Sequence, residues 1–102
     1  MEKPKITFED EEIEIGSVKA KAWRAASKIQ SRDGEVVPVG DMINFIVTVF
    51  DDSRVTAERI EDEVNLDEVY PLFLRTYAYV IDLVTAGLER VNAESKKKET
   101  GN

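Results

Sequence analysis

The sequence predicts a mainly α fold, a small helical bundle of about four helices with a short N-terminal β-hairpin, and three observations carry that prediction. From Asn65 to Val91 the residues Leu66, Tyr70, Phe73, Tyr77, Val80, Val84, Leu88 and Val91 recur every three or four positions, the stripe of a single helix. Upstream, Ser17, Asp41 and Thr56 each precede an apolar-patterned run in the position of a helix N-cap. Period-two alternation is confined to Ile6-Thr7-Phe8 and Ile13-Glu14-Ile15.

Taken in order, the two alternating runs form a hairpin over about 5–15, joined by the acidic stretch Glu9 to Glu12. A two-stranded hairpin is marginal by itself and must lie on helices. Gly16-Ser17 punctuates the chain and opens a helix over about 18–32, whose narrow apolar face is Val18, Ala22, Ala25, Ala26 and Ile29. Trp23, the sole tryptophan, borders that face and can either cover the core edge or anchor an interface. Asp33-Gly34 ends the helix, and Pro38 marks a loop. Between Met42 and Phe50 nearly every residue is apolar, so a helix over about 42–51, capped by Asp41, must be buried on most sides. Asp51-Asp52-Ser53-Arg54 breaks the chain again, without the central glycine and final glutamate of a calcium loop.

Thr56 caps a helix over about 57–64, with Val55 and Ile60 placed as a hydrophobic staple. Asn65 then caps the last helix, over about 66–91. Pro71 lies too deep for its first turn and predicts a kink or restart, while Gly87 weakens its interior. Residues 1–91 thus form a single helical domain, and 92–102, polar and carrying Lys96-Lys97-Lys98, are expected to be a disordered tail. Beside the main stripe, Val69, Leu72, Tyr79 and Leu83 form a second apolar row. If the Leu66 stripe packs on the 42–51 helix, then Leu72, Tyr79 and Leu83 remain for a partner or a second copy of the chain. Those three and Trp23 are the candidate partner-binding residues.

The 102-residue chain contains neither cysteine nor histidine, which removes thiol nucleophiles, disulfides, and thiolate or imidazole metal sites. Carboxylates remain, at Asp51-Asp52, Glu61-Asp62-Glu63 and Asp67-Glu68, but acids near helix starts are explained by the helix dipole. No glycine-rich phosphate loop is present, so no enzyme, cofactor or metal is expected. A net charge of -7 disfavours non-specific nucleic-acid binding, and the basic residues Lys19, Lys21, Arg24, Lys28 and Arg32 do not share one face. The N-terminal residues lack the order of a signal peptide, and Arg75 and Asp82 interrupt the most apolar window, so no membrane span is expected.

The order of features from about Ile6 to Val91 resembles a known family. A short acidic hairpin is followed by Val18-Lys19-Ala20-Lys21-Ala22-Trp23-Arg24, Phe45-Ile46-Val47-Thr48-Val49-Phe50, Val55-Thr56-Ala57-Glu58-Arg59-Ile60 and Asn65-Leu66-Asp67-Glu68-Val69-Tyr70-Pro71. Together they look like the tail assembly chaperones of long-tailed, siphovirus-type phages or prophages of Gram-positive bacteria. The resemblance implies a non-enzymatic helical protein of the host cytoplasm, absent from the mature virion. Such a protein binds the tape-measure protein, keeps it soluble and helps recruit tail-tube protein during tail morphogenesis. It also implies no catalytic or ligand residues to carry over. Family members are often made in two lengths, and Lys96-Lys97-Lys98 fits an A-rich slippery run as well as it fits a solubilising tail. The alternative from the residues alone is a small regulatory or nucleic-acid-binding helical protein.

Overall fold

The structure, a computed structural model, describes residues 2–32 and 34–100, with side chains described through Glu94. In chain order the elements are β1 (Lys5–Thr7), β2 (Glu12–Glu14), α1 (Ala20–Gln30), α2 (Val39–Phe50), α3 (Ala57–Glu63) and α4 (Leu66–Thr100). This is the mainly helical bundle with an N-terminal hairpin that the patterning predicts.

β1 and β2 pair antiparallel with Ile6 opposite Ile13. The turn closes through a hydrogen bond from the Phe8 amide to the Glu11 carbonyl at 2.8 Å, and the Ile15 amide extends the ladder to the Pro4 carbonyl. The alternation sends Ile6, Phe8, Ile13 and Ile15 into the core while Lys5, Thr7, Glu12 and Glu14 face outward. An ionic cluster fastens the turn to α3. Arg59 bonds Glu63 at 2.8 Å one helical turn away, pairs with Asp10 of the hairpin, and lies 4.0 Å above the Phe8 ring. The Glu11 Oε1 atom is buried without a hydrogen bond, yet it faces the guanidinium groups of Arg59 at 3.6 Å and Arg54 at 3.7 Å. Two cations so placed offset its desolvation.

α2 is the element on which the other helices assemble. Its buried residues Met42, Ile43, Phe45, Ile46, Val49 and Phe50 cover roughly half its circumference, and it packs on α1, α3 and α4. α1 lies antiparallel to it, tied at one end by Lys21–Asp51 (2.6 Å) and at the other by Arg32–Asp41. The approach is close because Ala22 and Ala26 form the buried face of α1.

Helix starts differ from the sequence-based boundaries at two places. α1 begins at Ala20 with Lys19 in the cap position and not at Ser17, because the preceding Val18 packs against the core from a non-helical segment. α2 begins at Val39 after Pro38, whose carbonyl accepts from the Asp41 and Met42 amides. Asp41 therefore sits inside the first turn, where it meets Arg32, and is not the cap. Thr56 caps α3 as expected, its hydroxyl accepting from the Arg59 amide at 3.1 Å, and Val55 and Ile60 are both buried. Asp51 ends α2 in the left-handed conformation with φ 47°, a geometry that aspartate tolerates better than most side chains.

α4 departs furthest from expectation. It is continuous through Pro71 and runs to Thr100 over 35 residues, so 92–100 is helix and not a disordered tail; positions 101 and 102 lie outside the described residues. Asn92, Ala93, Glu94 and the lysines after them include several strong helix formers, which propagate a helix already nucleated by packing upstream. A helix of that length is about 52 Å long. It accounts for the molecular dimensions of 59 × 32 × 19 Å and for a radius of gyration of 16.2 Å, against about 13 Å for a compact domain of this size.

Candidate helix-docking face

Among the described side chains, those that α4 contributes to the core come from its N-terminal half. Val69, Leu72, Phe73, Thr76, Tyr79 and Val80 are buried, and Tyr77 and Leu83 are partly buried at the border. Phe73 meets Phe45 of α2 edge-on at 5.5 Å between ring centroids, and Tyr77 closes the group at 5.9 Å from Phe45. Thr76 sits at the centre of this buried face. Its hydroxyl donates to the Leu72 carbonyl one turn back at 2.7 Å, so a polar side chain is fully buried without an unmet hydrogen bond.

These positions bury two of the four residues that the sequence offers as partner-binding. Leu72 and Tyr79 are core residues, and Leu83 packs against the core edge. They are covered because α4 presents to α2 and α1 the face centred on Thr76, not the face centred on Tyr70. Trp23 lies on α1 at 42% exposure.

Part of the α4 surface turned away from the core is also apolar. Leu66, Tyr70, Leu74, Val84, Leu88 and Val91 are exposed, with Tyr70 at 49%, Leu88 at 61% and Val91 at 58%. Adding the half-buried Tyr77 and Ile81 gives positions 70, 74, 77, 81, 84, 88 and 91, an unbroken alternation of four and three. That is a heptad seam of the kind a second helix fills by knobs-into-holes packing. Leu74 and Ile81 were missed as seam members from sequence because the 3.6-residue stripe through Phe73 and Val80 competes with the 3.5-residue stripe through them. The outer flank of the seam is Pro71, Ala78, Thr85 and Asn92, all uncharged and none long. On this side the nearest charges, Arg75, Asp82 and Glu89, stand one position further out, while on the inner flank Glu94 follows Phe73, Val80 and Gly87. Beyond Leu83 no described side chain of α4, through Glu94, belongs to the core, and the roughly 25 Å of helix from Val84 to Thr100 carries exposed seam residues at Val84, Leu88 and Val91.

Of the carboxylates singled out from sequence, Asp51, Asp52 and Glu63 are engaged in ion pairs away from this face. Asp51 is bound by Lys21, and Glu63 by Arg59. Hydrogen bonds from the Arg54 guanidinium and then from the Arg54 amide lower the Asp52 pKa to about 2. Lys21 of α1 and Arg32 just beyond its end are likewise paired. Among the described residues no group of three acidic side chains is arranged to hold a metal ion, and no helix is long and apolar enough to cross a membrane. Comparison with protein-family models, curated proteins and solved structures finds no match.

Proposed function

We propose that the chain is a non-enzymatic helix-binding chaperone whose client is the tape-measure protein of a phage or prophage tail. On this reading the seam on α4 docks amphipathic segments of that long helical client. The client stays soluble in the host cytoplasm while tail-tube protein assembles around it. The observation that supports the reading is the largely exposed heptad seam from Tyr70 to Val91, which continues past the last core residue of α4. A helical client with repeating apolar stripes needs apolar helical surface to cover them, and the net charge of -7 keeps the complex soluble. Trp23, exposed on α1, is available to extend such an interface.

Co-expression tests this directly. A tape-measure fragment made with the chain should remain soluble and co-purify, whereas Leu88→Glu should leave it insoluble while preserving the helical circular dichroism of the variant. Co-purification that survives Leu88→Glu would contradict the seam as the docking face. Retention of the chain on DNA or RNA at physiological salt, with no effect on the fragment, would favour the regulatory or nucleic-acid-binding alternative instead.

A further inference from the structure

We infer that, in the absence of a client, the α4 seam is closed by a second copy of the chain, the two α4 helices pairing antiparallel as a short coiled coil. The seam keeps a strict seven-residue repeat. A repeat of 3.5 drifts off the face of a straight helix and stays in register only against a helix carrying the same repeat. The chain supplies that second helix itself, and a two-fold pair places one surface against itself.

The direction follows from where the domain and the charges lie. The buried face of α4 occupies the inner flank of the seam at Phe73 and Val80, whereas at Gly87 that flank is open: a Cβ built there meets no atom within 4 Å. Antiparallel pairing sets the open half of each helix beside the domain-bearing half of the other. Parallel pairing would crowd both domains along one half and leave both free halves bare. Facing Ile81 with Val84 of the second copy also brings Tyr77 onto Leu88 and Leu74 onto Val91. The same register puts the acidic positions 67 and 68 opposite positions 98 and 97, which are lysines in the sequence. Parallel pairing would instead oppose acid to acid and lysine to lysine at the two ends. The outer flank adds no charge of its own to the contact, and the repulsion between the net negative charges of two copies is screened over about 8 Å at physiological salt.

This pairing does not rest on the chaperone reading, since it concerns the free protein. Sedimentation equilibrium of the full chain should show a mass that rises with concentration toward twice the 11.5 kDa of one copy. Leu88→Glu should weaken association at least about tenfold, by burying an unpaired charge from each copy, with helicity retained. Because the chain has no cysteine, Leu74→Cys and Val91→Cys introduce the only thiols and read the direction. Under mild oxidation an equimolar mixture should form the mixed disulfide dimer, while either variant alone should not cross-link. Monomer at every concentration would overturn the inference, as would rapid cross-linking of Leu74→Cys with itself. Neither result would touch client binding, and a failure to bind the client would leave the self-association measurement standing.

Discussion

The two halves of α4 both carry residues of the apolar seam and owe their helical state to different things. From Leu66 to Leu83 the helix is held by burial: Phe73, Thr76 and Val80 lie against α2 and α1, and the aromatic group of Phe45, Phe73 and Tyr77 locks its angle. From Val84 to Glu94 no side chain reaches the core, although Val84, Leu88 and Val91 continue the seam. In most domains an amphipathic helix is stabilised by the surface that covers its apolar face. The outer half of α4 has that face and no cover in a single copy, which is why pairing or client docking, rather than folding, is where its apolar residues act.

Phe45→Ala should separate the halves most sharply, removing the ring that Phe73 and Tyr77 pack on. A loss of about 3–5 kcal/mol is expected, a large share of the roughly 5–15 kcal/mol that holds a domain together. Chemical denaturation should show it directly. Gly87→Ala acts in the opposite direction and in the other half. Space around Gly87 is open, so removing the glycine penalty of about 1 kcal/mol should raise helicity beyond Val84 without a steric cost. Leu88→Ser should lower the stability of the monomer by no more than about 0.5 kcal/mol, since Leu88 is largely exposed and packs on no core residue. A loss comparable to that of Phe45→Ala would mean the outer half is part of the folding unit after all.

The weakest effect expected is an acid one, confined to the domain. Folding lowers the Asp52 pKa to about 2 through its bonds with Arg54. Its contribution is therefore complete above the ordinary aspartate range, near about 4, and is lost as pH falls toward the folded value. Asp52→Asn should flatten the acid limb of the stability curve in that window and leave the outer half of α4 unchanged. The pair is solvent-accessible, which keeps the change small.

Local chemistry made much of this fold legible in the sequence. Alternation placed Ile6, Phe8, Ile13 and Ile15 on one side of a hairpin, and Thr56 marked the start of α3 by its cap. The burial of α2 followed from a run with almost no polar residue. The face of α4 that meets the core was not legible, because two apolar rows lie side by side and the row that wins is centred on a threonine. Thr76 looks polar in sequence, and only the Leu72 carbonyl beside it makes its burial inexpensive. The candidate site was misplaced for the same reason: Leu72 and Tyr79 were assigned to a partner, and the surface offered instead is that of Tyr70, Leu74 and Leu88. The helical state of 92–100 escaped too, since a polar segment can extend an existing helix by propensity alone. The hairpin clamp built on Arg59 depends on chain segments about fifty residues apart, a juxtaposition that spacing does not encode.

Hydrogen exchange across α4, followed as protein concentration is raised, tests the central claim most directly. Amides between Val69 and Val80 should be strongly protected at every concentration, while those between Val84 and Glu94 should exchange quickly in dilute solution and gain protection as copies pair, a gain that Leu88→Glu abolishes. Equal protection of both segments at the lowest concentration, or an outer segment that stays unprotected at the highest, would contradict it.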